Sequence, residues 1–248
     1  MNQTHQLMPR LKNLRLSGVL ETLEVRNRQA IEEKQSYVDF LTRLLEDEVE
    51  RRGQKQLSLR IRRSGLDPQK TLEAFNFGFN PTINRQKILD LATCQFVERA
   101  EPIFFIGQAG VGKSHLAQAL GHEACRRGRD VAFVRASDML SHLNGGRADG
   151  TYERRLTALA RPEVLIIDDF GLRPMRPPAP EDLFEVISRR YERGSIILTT
   201  NRASEEWAEL FAEPLLASAA LDRLRHRSHE IVVTGKSYRA NGPGSEAK

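Results

Sequence analysis

Gly107-Gln108-Ala109-Gly110-Val111-Gly112-Lys113-Ser114 is a complete G-x-x-x-x-G-K-[ST] phosphate loop. It stands between an apolar run, Ile103–Ile106, and a helix-period stretch from His115 to Arg127. In that stretch Leu116, Ala119, Leu120 and Ala124 share one face. Strand, glycine loop, helix is the context in which such a loop cradles phosphates. Glycines let successive N–H groups curl towards an anion. The helix start adds partial positive charge. Lys113 is expected to neutralise β- and γ-phosphates, and the Ser114 hydroxyl to ligate magnesium. His115 closes the nucleotide-binding set as a helix residue rather than as a base.

Downstream, short β-branched runs alternate with helical stretches: Val131–Val134, Val164–Ile167, Ile196–Leu198 and Ile231–Val233. With Ile103–Ile106 they predict a parallel sheet buried on both faces, a three-layer αβα domain. Upstream, residues 1–66 read as a small all-helical domain. Leu7, Leu11, Leu14, Val19, Leu20 and Leu23 recur near the helical period. Ser36 and Asp39 form a capping-box pattern before a helix with Val38, Leu41, Leu45 and Val49 inward. That helix can run on through Leu57 and Ile61, with Gly53 the weak point and Leu66-Asp67-Pro68 the stop. The aromatic segment from Thr71 to Pro81 reads as a surface connector, and one helix is expected over Ile83–Glu98. The ATPase-type domain then spans 67–240, with 241–248 a disordered tail.

Two later strands end in chemistry. Val164-Leu165-Ile166-Ile167-Asp168-Asp169 closes on adjacent carboxylates, which repel unless something holds them. A magnesium ion with its water gives a reason: Asp168 holding the metal and Asp169 acting as general base. Ile196-Ile197-Leu198-Thr199-Thr200-Asn201 ends on a polar group at the edge where parallel sheets bind ligands. Asn201 there either orients water at the γ-phosphate or caps a turn.

Phosphate loop, Asp-Asp strand and Thr-Thr-Asn strand, in that order, resemble the AAA+ ATPases. The further blocks Gly146-Arg147-Ala148-Asp149-Gly150-Thr151, Asp168-Asp169-Phe170-Gly171, Ala220-Leu221-Asp222-Arg223-Leu224 and Lys236-Ser237-Tyr238-Arg239 narrow the resemblance. They are similar to the IstB-like transposition ATPases of IS21-type insertion sequences, relatives of DnaC-type helicase loaders. The resemblance covers nearly the whole chain. It implies ATP and Mg2+ as ligands, Asn201 as a sensor, Arg223 as an arginine finger to a neighbouring subunit, and Arg239 as a second sensor in cis, and it offers Phe79-Asn80 as a border of the adenine pocket as the alternative to connector packing. It also implies a DNA-dependent homo-oligomer that recruits or activates an IstA-like transposase; the alternative is a replicative helicase loader. Two departures from most AAA+ proteins stand out: Asp169 occupies the usual Glu position, which favours slow hydrolysis, and no helical C-terminal lid is evident.

Arg51, Arg52, Lys55, Arg60, Arg62 and Arg63 lie in a window without acids. They predict a positive stripe for double-stranded DNA, read through phosphates rather than bases. The net charge of +5 fits an anionic partner. Asn144-Gly145-Gly146-Arg147 reads as a loop that could also touch DNA. Two cysteines make neither a metal motif nor a disulfide framework, and no stretch approaches the about 18 apolar residues of a membrane span. A cytoplasmic protein is expected. A small-molecule kinase would need an acceptor pocket; the Asp-Asp and Thr-Thr-Asn strand ends point to water instead.

Overall fold

A computed structural model describes residues 3–211 and 213–241. In chain order the elements are α1 (Gln3–Asn13), α2 (Ser17–Glu32), α3 (Tyr37–Ser64), α4 (Arg85–Leu91), α5 (Gln95–Glu98), β1 (Ile103–Ile106), α6 (Lys113–Arg126), β2 (Val131–Arg135), α7 (Ala136–Asp149), α8 (Tyr152–Ala160), β3 (Val164–Phe170), α9 (Ala179–Arg190), β4 (Ser195–Thr200), a 3-10 turn (Ser204–Leu210), α10 (Pro214–Arg225), β5 (His229–Val232) and α11 (Tyr238–Asn241). The chain forms two compact units, Met1–Leu59 and Arg60–Lys248. The expected tail, apart from Asn241, lies outside the described residues.

In the larger unit all five expected strands form one sheet, ordered β2-β3-β4-β1-β5, with every pairing parallel. Side chains alternate across it. Phe104, Leu165, Ile167 and Leu198 face the layer of α7, α8, α9 and α10, in a core that includes the fully buried Trp207. Ile166 faces α6 on the other side, against Gly121. Five short strands ending at one edge bring five loops together there.

Two helical expectations change in this unit. The helix foreseen over 83–98 is broken into α4 and α5. Thr93 turns its hydroxyl onto the Asp90 carbonyl at 2.7 Å, and Cys94 takes a left-handed φ of 64°. The apolar spacing carries across the break, since Ile88, Leu91, Ala92 and Phe96 are all buried. Asn144–Arg147 is the end of α7 and not a loop. Gly146 lets α7 meet the backbone of Tyr152, and Arg147 is held by the buried Asp182.

In the smaller unit Ser36 caps α3 as expected. Its Oγ accepts from Asp39 N at 3.2 Å and donates to the Asp39 carboxylate at 2.6 Å. The helix passes Gly53 and stops at Gly65, whose φ is 75°. The inward face differs from the expected one. Val38, Leu41, Leu45 and Val49 are exposed, as are Leu7 and Leu14. The seam is Val19 and Leu23 of α2 against Leu44 of α3, with Leu11, Leu16 and Phe40 at its rim. Polar contacts fix that register. Arg26 grips Asp47 with two bonds of 2.8 and 2.6 Å, and the buried Glu48 accepts from Gly18 N at 2.6 Å and Val19 N at 3.3 Å. Glu48 thus caps the start of α2 from another helix.

These carboxylates tie the unit to pH. The Arg26 guanidinium holds Asp47 at about 2. Burial pushes Glu48 up, but the Gly18 N–H, Arg52 and the Val19 N–H outweigh it and leave its carboxyl below the ordinary value. Both are depressed in the folded state, so their stabilisation is full above about pH 4.5 and is lost as pH falls towards 2. Glu48→Ala is expected to destabilise this unit by about 1 kcal/mol, the usual worth of a cap. Thermal unfolding at pH 7 and pH 3 checks both: the variant should melt lower at pH 7, and the difference should shrink at pH 3.

Candidate nucleotide site

The phosphate loop leaves β1 and turns back into α6. Gly110 and Gly112 adopt φ of 82° and 105°, in the left-handed region. Space also demands glycine. A Cβ on Gly112 would lie 2.8 Å from the Phe75 ring, and one on Gly110 would strike the Ser237 side chain. Lys113 is buried, and its ammonium donates to the Gly107 carbonyl, the Gln108 carbonyl and Asn201 Oδ1, each at 2.7 Å. Loop lysine and strand-end asparagine are therefore in direct contact, although 88 residues separate them.

A cavity of about 320 Å³ opens on this loop. Ala109 to His115 form one wall, with Asp169 and Asn201 beside Ser114. Phe75, Phe79 and Tyr238 form an aromatic wall opposite. Phe79 and Tyr238 meet edge to face with centroids 4.9 Å apart. Tyr238 N donates to the Gly110 carbonyl at 2.8 Å, and the buried Asn80 donates to the Thr234 carbonyl at 2.7 Å. The connector thus lines the site, with Phe79 and Asn80 on the cavity wall as the alternative reading of that segment has them.

Three polar residues of α6 hold that connector. His115 Nε2 contacts the Thr71 carbonyl at 2.8 Å, and His122 Nε2 the Asp67 carbonyl at 2.9 Å. A carbonyl can only accept, so both rings carry their proton on Nε2. Gln118 accepts from Asp67 N at 2.8 Å. Burial pushes the His115 pKa down, which keeps its ring neutral. The side chain of His115 is thus spent on the connector, and its backbone remains at the helix start.

The two carboxylates diverge. Asp168 is buried and Asp169 exposed, at an irregularity in the β3–β4 register between Ile167 and Phe170. Thr199 joins them. Its hydroxyl donates to Asp168 Oδ1 at 2.5 Å and accepts from Asp169 N at 3.0 Å. Asp169 has a left-handed φ of 57°, which turns its side chain to the cavity. Asp168 lies behind it and is not part of the cavity wall.

The loop cradle, a buried lysine and an acid behind the wall fit a triphosphate with magnesium. Among the described residues no group of three or more His, Cys, Asp or Glu makes a metal site of protein ligands alone. A magnesium ion held by Ser114 and, through water, by Asp168 would take its remaining ligands from phosphates and water.

Other expected residues lie elsewhere. Arg223 sits at the end of α10, where its guanidinium covers Phe184 and Tyr191 and donates to the Ala219 carbonyl at 2.7 Å. It shares a small cavity with Pro102 and Gly194, which precede β1 and β4. That is the opposite edge of the sheet from the phosphate loop, a strand length of about 13 Å away. Arg239 is in α11, and its side chain lies outside the described residues. Of the basic stripe, Arg51 pairs with Glu21 and Arg52 with Glu48 in the smaller unit, where Lys55 is exposed. In the larger unit Arg62 and Arg63 are exposed, and Arg60 is half-buried near Gly128.

A phosphate loop on a β2-β3-β4-β1-β5 parallel sheet, with acid and asparagine on the next two strands, defines a P-loop ATP-binding protein of the AAA+ class. The crystal structure of the DnaC helicase loader superposes with a TM-score of 0.60 over 67% of this chain and 98% of that one, at 23% identity. Replication initiator DnaA bound to AMPPCP and single-stranded DNA gives 0.58 over 70% of this chain and 53% of that one, at 24% identity. Residues 9–243 match the family of IstB-like ATP binding proteins, and the chain belongs to that family. An ATP-binding protein in an insertion sequence of Mycobacterium tuberculosis is 42% identical over 92% of both chains. The IS21 ATP-binding protein of Pseudomonas aeruginosa is 38% identical over 96% of this chain and 89% of its own.

Thr199 was quoted in the sequence motif but carried no role there. Its hydroxyl now positions both acids. Thr199→Val keeps the shape and removes the hydroxyl. It is expected to slow ATP hydrolysis about tenfold to a hundredfold, the worth of one hydrogen bond to a charged group, with ATP affinity little changed. Thr199→Ser should restore most of the rate. Equal rates for the valine and serine variants would refute the role.

Proposed function

We propose that this protein is a DNA-binding ATPase that assembles with ATP on DNA and assists transposition by recruiting or activating a transposase. The observation that carries the reading is the meeting of Lys113, Asn201 and Asp169 at one cavity, with Arg223 held at the far edge of the same sheet. The first three can bind and act on a triphosphate within one chain. The fourth can serve only the site of another chain.

The roles follow from that placement. Lys113 offsets β- and γ-phosphate charge, and loop N–H groups hold the phosphate oxygens. Bound magnesium supplies Lewis-acid polarisation of the phosphates. Asn201 orients the attacking water, and Asp169 accepts its proton. Asp169 is shorter than a glutamate and its carboxylate has no partner among the described residues, which fits slow turnover that awaits assembly. Arg223 of a neighbouring subunit would add positive charge as the γ-phosphate leaves, and Arg239 would report nucleotide in cis. Membership in an insertion-sequence family supports a transposase as the partner. DNA is expected to meet the exposed basic residues of α3 through its phosphates, so affinity should fall steeply with salt.

The test is DNA-stimulated phosphate release measured beside assembly state, with and without ATP. Lys113→Ala and Arg223→Ala should each lower hydrolysis on the order of 100-fold or more. Arg223→Ala should still bind ATP. Mixing the two variants should recover activity, because an intact loop then meets an intact arginine. No recovery on mixing, or normal turnover in Arg223→Ala, would sink the shared site. Capture of a replicative helicase in place of a transposase would move the protein to the loader class.

A further inference from the structure

A second, larger groove lies at the same edge of the sheet. Its volume is about 960 Å³, and it runs beside the carboxyl ends of β2 and β3. Arg135, Arg173 and Arg176 line it, all three exposed. None of their side chains makes a hydrogen bond or ion pair with a described residue, unlike Arg147, Arg155 and Arg189 of the same unit. Among the described residues Asp169 is the one acid on its walls. Its floor is apolar, with Met139, Leu140, Phe170 and Met175. Arg135 stands in register with Asp168 across the β2–β3 ladder, so the groove adjoins the acids directly.

Three guanidiniums on one groove repel each other until an anion joins them. Their planar forks match phosphate oxygens in pairs, and an apolar floor keeps the local dielectric low. A single small anion would not occupy a groove about three times the volume of the nucleotide cavity. A run of phosphates would. We propose that this groove docks the phosphodiester backbone of duplex DNA, apart from the basic residues of α3, and couples that DNA to Asp169. The proposal rests on the DNA-binding reading above and deepens it.

The coupling has a physical route. Asp169 borders both the groove and the nucleotide cavity. Among the described residues its carboxylate has no hydrogen bond or ion pair, and its left-handed backbone stands free of the β3–β4 ladder. Without DNA the three arginines attract it towards the groove. Phosphates that occupy the arginines remove this pull and release the carboxylate to the nucleotide side. DNA would then speed hydrolysis by freeing the base, with no large rearrangement.

The experiment compares the full chain with an R135A/R173A/R176A variant. Labelled duplex DNA is titrated over a range of salt, and ATP turnover is measured with and without duplex. Removing three phosphate contacts should make the slope of log affinity against log salt shallower by about 2–3. The stimulation by DNA should fall roughly 5- to 150-fold, the usual span of coupling between sites. By removing the pull on Asp169, the variant should raise DNA-free turnover towards the DNA-stimulated rate of the wild type, and the R135K/R173K/R176K variant, which keeps the charge but loses the planar forks, should keep DNA-free turnover low and retain part of the stimulation. If the triple alanine variant no longer binds a fluorescent ATP analogue, R173A/R176A on the exposed segment is read by the same criteria. An unchanged slope and unchanged stimulation in a variant, beside a stimulated wild type, overturn the groove and leave the ATPase reading standing. A wild type that neither binds duplex nor responds to it overturns both. A variant that keeps the DNA slope but loses activation by transposase assigns the groove to a protein partner and overturns the DNA assignment.

Discussion

The site depends on the pairing of β1 with β4. These strands are almost a hundred residues apart, yet Ile106 stands opposite Thr200, and Gly107 N donates to the Thr200 carbonyl at 3.1 Å. That last rung places the start of the phosphate loop against the end of β4. Lys113 then reaches Asn201 with an ordinary hydrogen bond. The β3–β4 pairing does the same for the acids, since Thr199 of β4 faces Asp168 and Asp169 of β3. β4 is thus the wall shared by the phosphate loop and the two acids. A shift of one residue along it would turn Thr199 to the other face and leave both acids without their hydroxyl.

Parallel topology also separates Arg223 from the phosphate loop of its own chain. All five strands end at the same edge, and the helices return the chain to the other. α10 brings Arg223 to the returning edge just before β5 begins. No rotamer of an arginine crosses a buried sheet. A positive group on α10 can meet a nucleotide only if it belongs to a different molecule. Under the proposed function, the edge that carries Arg223 and the edge that carries Lys113 would be two halves of one interface, with ATP between them.

The phosphate loop, the five strands and the helix cap at Ser36 were legible because each is a local pattern. The wrong face of α3 shows where local pattern fails. Val38, Leu41, Leu45 and Val49 have helical spacing, but so do Phe40, Leu44 and Glu48. The choice between the stripes is made by Arg26 with Asp47 and by Glu48 capping α2, which are contacts between helices that no single-helix period contains. In the connector, Phe79-Asn80 was legible as a pocket border through the family resemblance, but Phe75 was not, for the same reason. Phe75 looks like loop packing until His115, Gln118 and His122 pin residues 67–71 to α6 and set its ring over Gly112. Thr199 lacked a role because the strand order, and hence its neighbour, is not written in any window of sequence.

Asp169 joins these strands of argument. Its exposed carboxylate, left-handed backbone and position outside the ladder are what a structural acid would avoid. Asp168 shows the structural solution: buried, held by a hydroxyl, and fixed. Two adjacent acids on one strand have therefore been given opposite freedoms. The fixed one can hold a metal-bound water in a constant place, and the free one can move a proton or answer to charge nearby. Three arginines with no partner among the described residues line the groove beside it. An ATPase whose base is free in this way would idle until something occupies those arginines. That is the behaviour the proposed function requires, in which ATP is spent only on DNA.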